Sequence, residues 1–524
     1  MMVHQLLLTA HQPLLLLLWS GIRVLGTPTT GNNTIKEAGM KTRETFFLSF
    51  AFLCLGFIPV SAMGQSLPNT FTANTAAKAS EVNENFEYLL ERFGGIRETT
   101  VNCGTSGTGS GINSAIQNGY NSIVINGICK ENIIYDARNT FSPRVLRLRG
   151  ANNDYSIDKI VDNSSYEKTV LKAWYTGMIL MVDNLTISGG DRGIASWSNN
   201  TIVLRNIKVD GYKNHGLTIG GSSVLHGENI IVDGSYSGAS SSETGFALGR
   251  DGVAYLENLT ITNNQDTGLE LFNAQIELLG TNVFQGNGIA INVELGSFIK
   301  TSGTTSISNS SDYGVNIEQG GIADLNGLTL NVSKVGIGAK NNSTVKITDS
   351  SLTSSSERVI YSRGGVALDI DNTTITGNSS KEAVKLNDGS NLAIGGSTVS
   401  GGTTGISAVY NSTVRLQGGN AITGNTQEGI YLLNSTLHQY SDVSTTTISS
   451  NTGSEIKAER SFLKLDGVTI TGTGGSTEVD LKYGSLLILG SGSSVTGTVT
   501  CGNTAPDNGT FVNDSGTSVT TSGC

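Results

Sequence analysis

Charge is scarce in this chain. Asp, Glu, Lys and Arg make up 15% of its 524 residues, where ordinary soluble domains carry about 25%. The 33 Lys and Arg are outnumbered by 43 Asp and Glu, for a formal net charge of −10. No basic stripe is available to neutralise phosphates, so nucleic acid is excluded as a partner. Low charge also marks disorder and collagen, but no Gly-X-Y triplet runs through the sequence, and β-branched residues alternate regularly. Cysteine is rarer still: there are five, without any CxxC spacing, so a four-cysteine zinc site lacks its ligand pattern. The Leu-x-x-Leu-x-Leu-x-x-Asn repeat and the Gly-Gly-x-Gly-x-Asp calcium nonapeptide are missing too, which removes two common repeat folds.

What is present begins with a processing signal. Lys41 and Arg43 precede an apolar run from Phe46 to Val60, and Ser61-Ala62-Met63-Gly64 follows. This is the pattern of a secretory signal peptide cleaved near Ala62 or Gly64. The run is short for a membrane span, and no stop-transfer charges follow it. Residues 1–39 hold a second apolar run, Leu14 to Leu18; a start at Met40 would leave them untranslated. Cys54 leaves with the signal, and Cys103, Cys129, Cys501 and Cys524 remain as an early and a late pair. Four cysteines allow three pairings, and the clustering favours Cys103–Cys129 and Cys501–Cys524, formed in an oxidising compartment.

Glycine is abundant, at 67 residues. From Gly193 a glycine followed by an alternating apolar pair returns about every 23 residues. Examples are Gly216-Leu217-Thr218-Ile219, Gly245-Phe246-Ala247-Leu248, Gly268-Leu269-Glu270-Leu271, Gly288-Ile289-Ala290-Ile291 and Gly429-Ile430-Tyr431-Leu432. A second column reads Ser-x-apolar-x-apolar, as at Ser343, Ser390, Ser412, Ser461 and Ser485. A third reads Asn-apolar-x-apolar, as at Asn184, Asn206 and Asn258. Three short strands per coil, each with apolar residues inward, predict an all-β parallel β-helix, a single-stranded solenoid of three parallel sheets. The aligned serines and asparagines belong at turns, where they satisfy free backbone groups. Open ends need covers. The expected organisation is residues 1–64 as extension and signal, 65–100 as helical cap or linker, 101–500 as the β-helix and 501–524 as a disulfide-closed cap. Within the linker, Val82, Phe86, Leu89 and Phe93 form one apolar stripe on a Ser80–Phe93 helix, suited either to capping the first coil or to homo-oligomerisation.

The stretch Ile112–Gly119, the strand Ser122–Ile125, the segment Gly127–Ile133 and the strand Val145–Gly150 resemble the entry region of secreted right-handed parallel β-helix proteins of the pectin-lyase-like superfamily. The resemblance covers residues 101–500. It implies a right-handed winding with a short helix packed on the first coil, and export from a Gram-negative bacterium to the periplasm, cell surface or medium. It does not bring the family's chemistry with it. The polygalacturonase-like motifs Asn-Thr-Asp, Gly-Asp-Asp and Gly-His-Gly are absent, and Gly190-Asp191-Arg192 is a partial echo. A pectate-lyase-like site would want clustered aspartates for Ca2+, the one cofactor this reading would call for, and a nearby basic residue.

The register breaks between Gly216 and Gly245, where the extra residues form the loop Ser235–Ser242; solenoid insertions often wall a binding face. Two residues ahead of the glycine, successive coils place Asp191, Asn214, Glu243 and Asp266, so that Glu243 and Asp266 would lie about 5 Å apart. Arg192, His215, Arg250, Trp174 and Trp197 fall in the same frame. The candidate catalytic set is therefore Glu243, Asp266, His215 and Arg250, and the candidate glycan contacts are Trp197, Trp174, Asp191 and Arg192. Plainer readings compete: Asp and Asn before glycine suit turns, His215 beside a turn is a surface histidine, and outward Lys300, Lys346, Arg415, His438 and Lys464 make a solvated face. A glycosidase needs two carboxylates at defined separation, and Glu270 is expected between Ala247 and Ala290, with Glu318 in another column. Three functions follow: a glycan-interacting β-helix without evident catalysis, a lyase or hydrolase of uronic-acid-containing polysaccharide, and a structural rod or adhesin.

Overall fold

A strand of four to six residues with alternating apolar side chains cannot bury that face by itself, and stacking coils solves the problem for all of them at once. The computed structural model describes residues 96–136, 144–235, 243–440, 444–472, 477–502 and 508–524. The signal peptide, residues 1–39, the Ser80–Phe93 helix and most of the loop Ser235–Ser242 lie outside the described residues. Contacts divide the chain into residues 1–76 and 77–524, and every described residue belongs to the second unit.

From Glu98 to Ser522 the chain winds as a parallel β-solenoid, with one short helix, Ile112–Gln117, among the described residues. The face that carries the glycine column, hereafter the glycine face, holds seventeen strands. At about 4.8 Å per strand the rod is roughly 75 Å long. The pairing is parallel and in register, so Leu217, Phe246, Leu269 and Ile291 stack in one inward row. They belong to a single interior core that runs from Cys103 to Cys501.

The other two faces differ from the expectation of three separate sheets. In the N-terminal half, strands such as Val224–Asp233 and Val253–Thr262 turn the corner between them without leaving the ladder. The corner residues Asn206, Asn229 and Asn258 take φ of 50°, 53° and 59°, a left-handed bend that Asn tolerates. Their side chains make the bend a ladder of its own. Asn206 Nδ2 donates to Asn184 Oδ1 at 3.1 Å, Asn229 to Asn206 at 2.8 Å and Asn258 to Asn229 at 3.0 Å. From Ile322 onward the corner opens into two strands per coil, as in Ile322–Asn326 and Leu328–Val332 or Thr344–Thr348 and Ser351–Ser354. The serine column also does what turn chemistry suggests: Ser297, Ser461 and Ser485 accept backbone N–H groups of the preceding coil at 3.1 Å each.

The glycine column is crowded. A Cβ on Gly216 or Gly245 would lie 2.6 Å from the carbonyl oxygen of the next coil's glycine. One member was misplaced by the repeat, however. Thr267 pairs with Ile289 and Leu269 with Ile291, so Ala290, not Gly288, stands level with Gly268. Both are small, two residues apart, and each is followed by isoleucine, so the repeat alone does not choose between them. Gly288 instead lies under the carbonyls of Gln265 and Asp266, with no room for a Cβ.

Both disulfides form as expected. Cys103–Cys129 and Cys501–Cys524 have Cα separations of 5.1 and 4.8 Å. The winding passes both expected boundaries. Glu98–Gly109 already pairs with Ser122–Lys130, and Thr510–Asn513 and Thr520–Ser522 pair with the preceding coil.

Candidate functional site

The side chains that point out from the glycine face are set by the same registers as the core. One outward row runs Lys172, Ala195, Thr218, Ala247, Glu270, Asn292. Beside it Trp174 pairs with Trp197, Gly249 with Phe272 and Phe272 with Glu294. Gly220 fills the place between Trp197 and Gly249: a Cβ there would lie 3.4 Å from the indole and 3.0 Å from the Gly249 carbonyl. Ala195, Thr218, Gly220, Ala247 and Gly249 thus make a floor of small residues. Trp197 and Phe272 stand on opposite sides of it, three strand steps or about 14 Å apart.

The two banks are chemically unlike. On one, the Trp174 and Trp197 ring centroids are 5.5 Å apart, edge to face. Lys172 Nζ lies 3.7 Å from the Trp174 ring centre and the Arg192 guanidinium 5.8 Å from that of Trp197. Trp174 is 37% exposed. Burial and the neighbouring Arg192 push the Lys172 ammonium below its usual range. On the other bank, burial raises the Glu270 carboxyl, with Glu294 and then Asp266 adding to the shift. Asp266 is raised by its own burial. Asn292 Nδ2 donates to Glu294 Oε1 at 2.8 Å and fixes that side chain.

His215 follows Arg192 in the next coil. Burial, and then the Arg192 charge, push its imidazole below the ordinary value and favour the neutral ring. His215 Nδ1, Thr218 Oγ1 and Arg192 Nε, all on this face, are buried polar atoms without a hydrogen-bond partner among the described residues. Such atoms are normally satisfied.

The sequence-predicted residues separate into three groups. Asp191, Arg192, Trp174, Trp197 and His215 do come together; Asp191 accepts a bond from Asn214 Nδ2 and lies 3.5 Å from Arg192. Glu243 and Asp266 stack through the backbone, where Asp266 N–H donates to the Glu243 carbonyl at 3.2 Å. Their carboxyls nonetheless work apart. Glu243 is fully buried, accepts from the Gln265 N–H at 3.3 Å, and is pushed up to about 7 by burial, with Asp233 as its charged neighbour. Arg250 does not join them. It sits at φ 52° in the turn after Thr244–Gly249, so the length of that strand, about 20 Å, lies between it and Glu243.

Sequence reasoning passed over Lys172, Phe272 and Glu294, and set Glu270 aside. Glu270 stands between Ala247 and Asn292, not beside Ala290, and the same two-residue slip hid Glu294. Among the described residues no three His, Cys, Asp or Glu side chains converge to hold a metal ion. A separate polar cavity of about 420 Å³ near the first coils includes Lys130, Glu131, Asn132 and Glu167. There Glu131 is engaged by the N–H groups of Ile112 and Asn113 at 2.8 and 3.0 Å, so it serves as the cap of the short helix.

Residues 335–511 match the family described as right handed beta helix region. No curated protein sequence matches the chain. Among solved structures, the Dettilon tailspike protein is 11% identical, with a TM-score of 0.29 over 86% of this chain and 72% of its own. The A-module of the Azotobacter vinelandii mannuronan C-5 epimerase AlgE6 is 12% identical, with a TM-score of 0.27 over 71% of this chain and 91% of its own. The parallel winding and the matched region show that the chain has a right-handed parallel β-helix fold.

Proposed function

We propose that this is an exported glycan-binding β-helix whose polysaccharide lies in the small-residue depression of the glycine face. The paired Trp174 and Trp197 beside Gly220 carry this reading. Indole faces stack on the apolar faces of sugar rings, and a floor without side chains leaves room for a ring to approach. Lys172 and Arg192 add positive charge at the same place and favour acidic sugars. The test is binding to a panel of neutral and uronic-acid polysaccharides. A uronic-acid polymer should bind, and Trp197→Ala should weaken it at least tenfold. No binding across the panel, or binding indifferent to that substitution, overturns the reading.

The raised carboxyl of Glu270, with Glu294 and Asp266 as its charged neighbours, favours a second reading as a lyase or hydrolase of the same glycan. A carboxyl raised above its usual range holds its proton more firmly and is better suited to donate it to a leaving oxygen. Within the catalytic set drawn from the sequence, Asp266 and His215 fit such a site, whereas Arg250 is remote. Release of unsaturated or reducing sugars, lost in Glu270→Gln, supports this reading, and silence on polymers that bind removes it. Both disulfides suit an oxidising compartment, and among the described residues no helix is long and apolar enough to cross a membrane. We place the mature chain in the periplasm or at the surface of a Gram-negative cell, a location that fractionation checks.

A further inference from the structure

The depression on the glycine face changes charge along its length, and this limits which glycan can lie in it. From Lys172 the outward row passes Ala195, Thr218 and Ala247 to Glu270, four strand steps or about 19 Å away. The start of that path is basic, with Lys172 and Arg192 beside the tryptophans. Its far end is acidic. Glu270 is followed by Glu294 and then Glu318 in the next two coils, and all three are half-buried. Lys340 pairs with Glu318 at 2.6 Å, and among the described residues no cation pairs with Glu270 or Glu294. The neighbouring amides are turned toward these acids. Asn316 Nδ2 donates to Asn292 Oδ1 at 2.9 Å and to Glu318 Oε1 at 3.1 Å, and Asn292 Nδ2 donates to Glu294 Oε1 at 2.8 Å. Burial, then Glu294 and Asp266, push the Glu270 carboxyl upward, the direction in which a further anion would also drive it.

We propose that the glycan of this face is not a homopolyuronan but a polymer whose repeat sets an uncharged, hydroxyl- or amide-bearing sugar beside each uronate. The inference rests on the glycan reading above and names the class of polymer. A uronate lies against Lys172 and Arg192, whereas the ring over Phe272 carries no carboxylate. Ionised carboxylates only accept hydrogen bonds. Sugar hydroxyls and acetamido N–H groups can donate to Glu270 and Glu294, but a carboxylate has nothing to donate and meets like charge. Phe272, 48% exposed and level with Glu294, supplies an apolar surface on which an uncharged ring rests. A homopolyuronan brings a carboxylate with every ring, so it can occupy the basic end of the depression and not the acidic one.

The test compares two polymers of equal chain length: polygalacturonate, a homopolyuronan, and hyaluronan, in which uronate alternates with N-acetylglucosamine. The wild type should bind hyaluronan at least tenfold more tightly. Glu270→Gln with Glu294→Gln removes both charges and keeps the side-chain shape. It should tighten polygalacturonate at least fivefold, while hyaluronan stays within threefold because each glutamine retains an accepting oxygen. Asp369→Asn with Asp371→Asn removes the same charge from exposed positions on another face and should change neither affinity. Equal or tighter wild-type binding of polygalacturonate, still lost in Trp197→Ala, overturns this inference and leaves the glycan reading standing. So does a polygalacturonate affinity that the glutamine pair leaves unchanged, or that the asparagine pair raises as much. If the glutamine pair releases both polymers, Glu294→Gln alone decides by the same gain on polygalacturonate. No wild-type binding of either polymer overturns both readings.

Discussion

The two halves of this rod wind alike and differ on the outside. Inward, Phe246 and Leu271 near one end and Leu432 and Leu463 near the other are equally buried, at 0% exposure. Outward, the N-terminal half presents two tryptophans, a floor of alanine and glycine, a group of raised carboxyls and two buried side chains outside the core, Met181 and Val203. The C-terminal half presents ion pairs, among them Arg358 with Glu382 at 3.0 Å, Lys385 with Glu382 at 3.0 Å and Lys482 with Asp480 at 3.1 Å. These pairs are half-buried, and the N-terminal half has ion pairs as well, such as Arg205 with Asp183 at 2.8 Å, so the difference lies in the tryptophans, the small-residue floor and the raised carboxyls. The inward alternation makes a β-helix, and the departures from an ordinary outer surface are where we propose that it is used.

The strongest challenge to this division is to the inward sameness. Phe246→Ala should cost about 3–5 kcal/mol and Leu432→Ala about 2–5 kcal/mol, measured by denaturant unfolding. A near-neutral result at either would show that the halves are not one core. Next comes the crowded column. Gly245→Ala, whose Cβ would meet the Gly268 carbonyl oxygen at 2.6 Å and Ile261 Cγ2 at 2.7 Å, should lose about 1–3 kcal/mol. Ala383→Gly, level with it in the column, should lose only about 0.5–1 kcal/mol. Equal losses would remove the crowding argument.

A smaller effect is expected with pH. Glu243 is raised to about 7 by burial, so its contribution is fully present below the unfolded carboxyl pKa of about 4.3 and is lost as pH rises through about 7. Thermal midpoints at pH 5 and pH 8 should therefore differ more in the wild type than in Glu243→Gln. The variant should gain relative stability at the higher pH, and an identical pH dependence in both would show that Glu243 titrates normally.

Much of this was legible in the sequence because period-two alternation and a 23-residue return leave few ways to wind the chain. The Trp174–Trp197 neighbourhood followed from the same repeat, and the disulfide pairs from the clustering of the cysteines at the two ends. The limits have physical causes. Gly288 and Ala290 are both small, each precedes an isoleucine, and only hydrogen-bond register distinguishes them; that slip concealed Glu294 and misplaced the neighbours of Glu270. Arg250 seemed close to Glu243 because a linear frame ignores the length of the strand between them. The outward placement of Met181 and Val203 was invisible for another reason. Met181 and Val203 lie inside the continuous apolar runs Ile179–Val182 and Ile202–Leu204, and only the pairing shows which members face outward.

The central claim is that the glycan lies in the depression over Thr218, Gly220, Ala247 and Gly249. Filling it tests this most directly. Ala247→Trp and Lys457→Trp place the same bulky ring in one outward row, the first in the depression and the second in the C-terminal half. Affinity for the uronic-acid polymer should fall at least tenfold in the first and stay within twofold in the second. Equal binding by the two variants would contradict the account.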